Sequence, residues 1–180
     1  MTSRRVRVKI EGVYSEWVTL DTGIGEGSIL GPLIFLIVMS GMTAVLKRTK
    51  TRIRLEAEAN NVTDKSGKVI TDDDVVVTSE EYADDVQGIL IHEQDEILQW
   101  CGDIMMDEMC QFFSCVNMSV NRTKTEVCCI RGGDHTHNIV IAGQSEAEEL
   151  RILGLFFRKD WSFAGHIARL KSAEIGRAHV

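Results

Sequence analysis

Residues 4–10 alternate basic and apolar positions, so a strand here places Val6, Val8 and Ile10 on one face and Arg5, Arg7 and Lys9 on the other. Glu11-Gly12 suits a turn and Trp17 to Leu20 a second strand, which predicts a hairpin. From Ser28 to Leu46 no residue is charged. Ser28 is a candidate N-cap and Pro32 fits the first helical turn, so a helix is expected. Its strongly apolar core runs only from Leu33 to Met39, and Pro32, Ser40, Gly41 and Thr43 dilute the rest. That pattern favours a buried helix of a soluble protein over a membrane span.

Lys47, Arg48, Lys50, Arg52 and Arg54 follow as a basic patch, and residues 56–74 are polar and Gly-punctuated, expected as a long surface loop. Two short apolar runs, Val75-Val76-Val77 and Ile89-Leu90-Ile91, read as buried strands. Residues 93–116 carry a helical stripe of Ile97, Cys101, Ile104, Met105, Met109, Phe112 and Val116, a core face that Gly102 weakens slightly. A loop at Asn117 to Asn121 precedes a short strand at Glu126 to Ile130. Asn138 to Ala142 is expected to pair with residues 149–157, and a helix begins near Phe163.

Between the two apolar runs lies Tyr82-Ala83-Asp84-Asp85. Two adjacent carboxylates at a strand end repel, and one holds its proton unless a cation is shared. Mg²⁺ suits such oxygen ligands, because it keeps several waters and takes one or two carboxylates plus substrate phosphates. The plain alternative is an ordinary acidic turn. Cys128, Cys129, His135 and His137 invite a zinc reading, but adjacent cysteines on a strand point to opposite faces.

At 180 residues, 44% apolar and 26% charged, the chain is large enough for one domain with a core and too apolar for disorder. Its five cysteines form no C-x-x-C pair, and no secretory signal opens the chain. They read as reduced thiols of an intracellular protein, cytoplasmic or nuclear and not secreted. The net charge of -7 conceals an asymmetry: residues 1–55 carry nine basic and four acidic side chains, residues 56–108 two and sixteen, and residues 109–180 nine and seven. Basic walls around an acidic centre would suit phosphates and metals, and a solvated acidic loop at Asp72-Asp73-Asp74 and Glu80-Glu81 would give the same totals.

Four blocks, taken in order, resemble the reverse-transcriptase family in its non-LTR (LINE-like) retrotransposon branch. Gly23 through Phe35 is similar to the family's Gly-x-x-Gln-Gly-Ser-x-Leu-Gly-Pro block, and Tyr82 to Asp85 to its Tyr-Ala-Asp-Asp box. Asn121, Lys124, Thr125 and Glu126 are similar to its Asn-x-x-Lys-Thr-Glu, and Leu153-Gly154 with His166-Ile167 to its Leu-Gly and His-Ile pairs. The resemblance covers about residues 4–173. It implies an α+β fold, a right-hand polymerase palm whose antiparallel sheet is backed by helices, with the start of a thumb. It further implies nucleotidyl transfer by two Mg²⁺ ions, with an RNA template, a DNA primer and deoxynucleoside triphosphates as partners. Asp84 and Asp85 would hold metal, and Lys124 would approach the nucleotide's phosphates. Gly23, Gly27, Ser28 and Tyr82 would line the substrate side, and Leu153 and Gly154 would steady the primer. Nucleic-acid contacts are expected from Arg5, Arg7, Lys9, Lys47, Arg48 and Lys50.

The departures matter too. The family's first catalytic aspartate lies upstream of the Gly-rich block and has no counterpart in this chain, so little activity is expected without the remainder of a polymerase. Gly25-Glu26 stands where Pro-Gln is usual, and Ser79-Glu80-Glu81 precede the box Tyr. Ile175 to Val180 back-translate to a sequencing adapter, so residues 174–180 are expected to be foreign to the natural chain. Two other classes stay open: a non-catalytic nucleic-acid-binding remnant, and a small protein anchored in a membrane through residues 28–46. No stable membrane association is expected.

Overall fold

The computed structural model describes residues 4–20, 29–82, 85–130, 138–153, 155–160, 162 and 164–177, with the backbone alone at Arg4, Leu20, Ala164 and 172–177. The chain is α+β, as expected. In order it forms β1 (Arg4–Val6), β2 (Lys9–Ile10), β3 (Val13–Tyr14), β4 (Val18–Leu20), α1 (Gly31–Met39) and α2 (Met42–Asn60). Then come β5 (Val76–Tyr82), β6 (Asp85–Ile91) and α3 (Asp95–Cys115), followed by β7 (Val140–Ile141), β8 (Gln144–Ser145), β9 (Glu149–Ile152), β10 (Leu155–Arg158) and α4 (Ala164–Arg177). Among the described residues the strands make five separate antiparallel ladders, each two strands wide, where a single sheet was expected.

The core lies between α2, α3 and the inner face of the β5–β6 hairpin. Val45, Ile53 and Ala57 of α2 are fully buried with Cys101 of α3, and Ile97, Ile104, Met105, Met109, Val75 and Val77 complete the cluster. Burial pushes the Cys101 thiol up to about 12, so it acts as a small neutral core residue. Phe113 joins the core where the stripe predicted Val116, which is exposed just past the end of α3. Gly102 allows closeness: a Cβ at that position would overlap the side chain of Ile141, which would have to shift. A Cβ on Gly41 would likewise lie 2.5 Å from Phe112 Cε2.

Ser40 and Gly41 separate α1 from α2, so the uncharged stretch is two helices. α1 buries Met39 and half-buries Ile34, Phe35 and Val38, while Leu33, Leu36 and Ile37 on its other side are exposed. The expected buried helix is therefore covered on one side only. By length and composition, residues 31–60 include one window apolar enough to cross a membrane. The α2 part of that stretch turns Val45, Thr49, Ile53 and Ala57 into the protein core.

α2 also runs well into the expected loop, ending at Asn60 with Asn61 in the left-handed conformation that stops helices. Glu56, Glu58 and the basic patch thus sit on one helix. The remaining turn, residues 61–74, is ordered by a Thr63–Val69 bridge and a bond from the Ile70 amide to the Val62 carbonyl (3.0 Å). The strand expected at Glu126 to Ile130 reduces to one bridge, Val127 to Glu146. Asn138 to Ala142 does not pair with residues 149–157. β7 folds onto β8 and β9 onto β10, each through a two-residue turn, because Ala142-Gly143 and Leu153 adopt positive φ. The backbone of α4 stays helical through Arg177, so Glu174 to Arg177 of the expected foreign tail continue it, and residues 178–180 lie outside the described residues.

One ionic cluster joins the two long helices. Arg48 Nε donates to Glu108 Oε2 at 2.9 Å, and Arg52 donates to Asp107, to Glu56 Oε1 (2.6 Å) and to Glu108 Oε1 (3.4 Å). The bonds to Asp107 first and then to Glu56 raise the Arg52 pKa further above its usual value. The Glu108 side chain is only 8% exposed, so a partner is obligatory. Arg48→Ala and Arg52→Ala each leave it one arginine and should cost about 1 kcal/mol or less. The double variant strands a buried carboxylate and should cost about 3 kcal/mol or more. Urea unfolding checks this, and simple additivity of the two single changes would contradict it.

Candidate active site

The β5–β6 hairpin pairs Val76 with Ile91 and continues in register to Glu80 with Gln87, Glu81 with Val86 and Tyr82 with Asp85. Only residues 83 and 84 connect the strands, which is the shortest common hairpin link. Ser79, Glu80 and Glu81 are part of β5, so the strand runs straight into Tyr82. The strand alternation sorts the hairpin into two faces. Val77, Ser79 and Glu81 share the inner face with Leu90, Gly88 and Val86, which pack toward α2 and α3. A Cβ on Gly88 would meet the flexible end of Met105, so the strand lies directly on α3. Tyr82 and Asp85 lie together on the outer face, both exposed.

Asp84 and Ala83 lie outside the described residues. Asp85 is described, and no ion pair joins it to Lys124 or any other cation among the described residues. Its chemistry is that of an exposed oxygen ligand with room for water, which suits Mg²⁺. Among the described residues no group of three His, Cys, Asp or Glu side chains could hold a metal. Of the neighbouring strand carboxylates, Glu80 shares the outer face with Tyr82 and Asp85, while Glu81 faces the other side and accepts a hydrogen bond from the Ser79 hydroxyl.

Lys124 ends a short 3₁₀ turn, Arg122–Lys124, and is exposed. Asn121 builds that turn. Its Oδ1 accepts from the Thr123 amide (3.2 Å) and the Thr123 hydroxyl (2.7 Å), and its carbonyl accepts from the Thr125 hydroxyl (3.0 Å). The Asn-x-x-Lys-Thr spacing is thus a self-contained cap that holds Lys124 out to solvent. Leu153 is exposed at the β9–β10 turn with φ 49°. Gly23, Gly27, Ser28 and Gly154 lie outside the described residues, as do His135 and His137 of the zinc reading. Cys101, Cys110, Cys115 and Cys128 are free thiols.

Of the expected nucleic-acid contacts, Arg48 is engaged by Glu108, while Lys47 is exposed and Lys50 half-buried. Arg5, Arg7 and Lys9 share one face of the N-terminal hairpin with Tyr14 and Trp17. The two aromatics were not singled out from the sequence, because regular alternation puts residues three apart on opposite faces. A cleft of about 410 Å³ lies at the other end of β6 from the hairpin tip, lined by Asp95, Gln99, Trp100, Asp103 and Ile139 among others. Two of its polar groups hold β7: Asp103 accepts from the Ala142 amide (2.6 Å) and Gln99 from the Val140 amide (3.2 Å).

Compared with known proteins, the chain matches no family model, no curated protein and no solved structure.

The acidic loop before β5 is less solvated than expected, because Asp74 is tied down. Lys68 Nζ donates to its Oδ1 (2.7 Å), and the Thr71 hydroxyl (2.7 Å) and amide (2.9 Å) donate to its Oδ2. The Lys68 bond first, then those of Thr71, hold the Asp74 carboxyl down to about 2. A folded pKa below the unfolded value contributes stability at higher pH that is lost as pH falls through the folded value. The loop should therefore stay closed at neutral pH and open between about pH 4 and pH 2. A fall in the protection factor of the Thr71 amide over that window is the expected signature, and Asp74→Asn should weaken that fall.

Proposed function

We propose that this chain is the palm portion, with the beginning of the thumb, of an RNA-directed DNA polymerase of the non-LTR retrotransposon type. One observation carries the reading. The Tyr82-to-Asp85 run closes an antiparallel ribbon at a two-residue connection, and the ribbon's inner face is packed on two helices. A rigid two-stranded support is what a pair of metal-binding carboxylates needs, because each ångström of misplacement weakens a metal-assisted reaction. Support also comes from Lys124, held exposed by its Asn121 cap as a phosphate-binding cation would be.

On this reading Asp84 and Asp85 hold Mg²⁺, which supplies activation of the primer hydroxyl and charge neutralisation at the triphosphate. Lys124 binds phosphate, Tyr82 and the Gly23–Ser28 segment border the nucleotide and template, and Leu153-Gly154 positions the primer. A second reading is a remnant without catalysis that binds nucleic acid elsewhere, because Glu26 puts a negative charge in the segment that would border the nucleotide's phosphates.

Primer extension on an RNA template, run beside Asp84→Ala, tests the proposal. These 180 residues lack the upstream aspartate that the resemblance implies. Extension should therefore run at least about a thousandfold below a complete polymerase, since several kcal/mol of metal positioning is missing. Mixing with a separately supplied upstream segment that carries an aspartate should raise it, and Asp84→Ala should abolish the gain. Extension indifferent to Asp84, or no gain on mixing, would remove the catalytic reading and leave the binding remnant.

A further inference from the structure

The N-terminal hairpin does not pair in one regular register. Lys9 faces Tyr14 and Ile10 faces Val13, but Val6 faces Val18 and Arg5 faces Thr19, so three residues, Ser15 to Trp17, stand opposite two, Arg7 and Val8. This is a β-bulge, and Ser15 pins it. The Ser15 amide donates to the Val8 carbonyl (2.9 Å), the Val8 amide donates to Ser15 Oγ (2.9 Å), and the Ser15 hydroxyl donates to the Glu16 carbonyl (3.0 Å). The extra residue reverses the alternation, and Tyr14 and Trp17 come to lie on one face. Arg7 Cζ sits 3.8 Å from the Tyr14 ring centroid and 4.6 Å from that of Trp17. Arg5 lies over Trp17 (5.2 Å) and Lys9 over Tyr14 (5.1 Å). The result is a ladder of cation, ring, cation, ring, cation along about 13 Å of strand. Among the described residues none of the three cations has a carboxylate partner, and each ring is 48% exposed.

We propose that this ladder is a docking surface for single-stranded nucleic acid, with bases stacking on Trp17, Tyr14 and the Arg7 guanidinium and phosphates neutralised by Arg5, Arg7 and Lys9. It deepens the nucleic-acid part of the function proposed above and rests on that part alone. Unpaired cations interleaved with exposed rings suit a strand whose bases are unstacked, and a duplex offers only its phosphates. The sorting of side chains argues against a membrane surface. A membrane-inserting hairpin would group its aromatics with its aliphatics, and here Val6, Val8, Ile10, Val13 and Val18 occupy the opposite face, exposed.

The test is fluorescence anisotropy of a labelled oligothymidylate with the full chain in EDTA, so that no metal site contributes. Trp17→Ala should weaken binding about tenfold with its salt dependence unchanged, because stacking is lost and phosphate contacts remain. Arg7→Gln should lower the slope of log K against log salt by about 0.7. Trp17→Phe keeps a ring and should bind within about threefold of the parent, which separates stacking from misfolding. Alanine variants that bind like the parent would overturn the proposal. So would a duplex bound as tightly as the single strand, or uptake by phosphatidylserine vesicles without oligonucleotide binding. Failure of primer extension leaves it standing, and loss of oligonucleotide binding with extension intact defeats it alone.

Discussion

The contact between α2 and α3 is apolar through Val45, Ile53, Ala57, Cys101 and Met105 and ionic where Arg48 and Arg52 enclose Glu108. Other elements take their places from it. The β5–β6 hairpin lies on the pair through Val77, Leu90 and Gly88, and the junction of α1 with α2 lies close against Phe112 at Gly41. β7 reaches α3 through the gap at Gly102. Two-stranded ribbons are only marginally stable alone, so the helix pair supplies the burial that fixes the hairpin. The carboxylate-bearing tip is then the free end of a supported lever.

The same contact bears on the charge asymmetry of the chain. The basic first third and the acidic middle meet where α2 packs on α3, with Arg48 and Arg52 bonded to Glu56, Asp107 and Glu108. Part of what reads as a phosphate-binding patch is internal bonding. Among the described residues Arg5, Arg7 and Lys9 of the N-terminal hairpin have no carboxylate partner, and aromatic rings hold them instead. Arginine over a ring keeps its full charge and most of its donors, so such a cation still attracts phosphate.

The elements with strong periodicity were legible in the sequence. The α3 stripe and the hairpin flanking Tyr82-Ala83-Asp84-Asp85 follow from spacing alone, since a buried face leaves its period in the residue order. What was hidden depended on contacts across the chain. Glu56 and Glu58 read as loop because they are polar, yet α2 continues through them: Ala57 is buried and Glu56 is bonded to Arg52 four residues earlier. The pairing of residues 138–158 was misread because two turns with positive φ at non-glycine positions, Ala142 and Leu153, carry no strong turn signature. At the site, the side-by-side placement of Tyr14 and Trp17 requires a bulge that composition does not announce.

That bulge makes chain length itself a carrier of information. A substitution at Ser15 or Glu16 changes a bond or a charge and leaves the count of residues intact. Deleting either one restores regular alternation between Tyr14 and Trp17 and sends one ring among the valines. In a lineage of copied genes, therefore, drift by point substitution can erode this face gradually, while a single in-frame codon loss erases it at once.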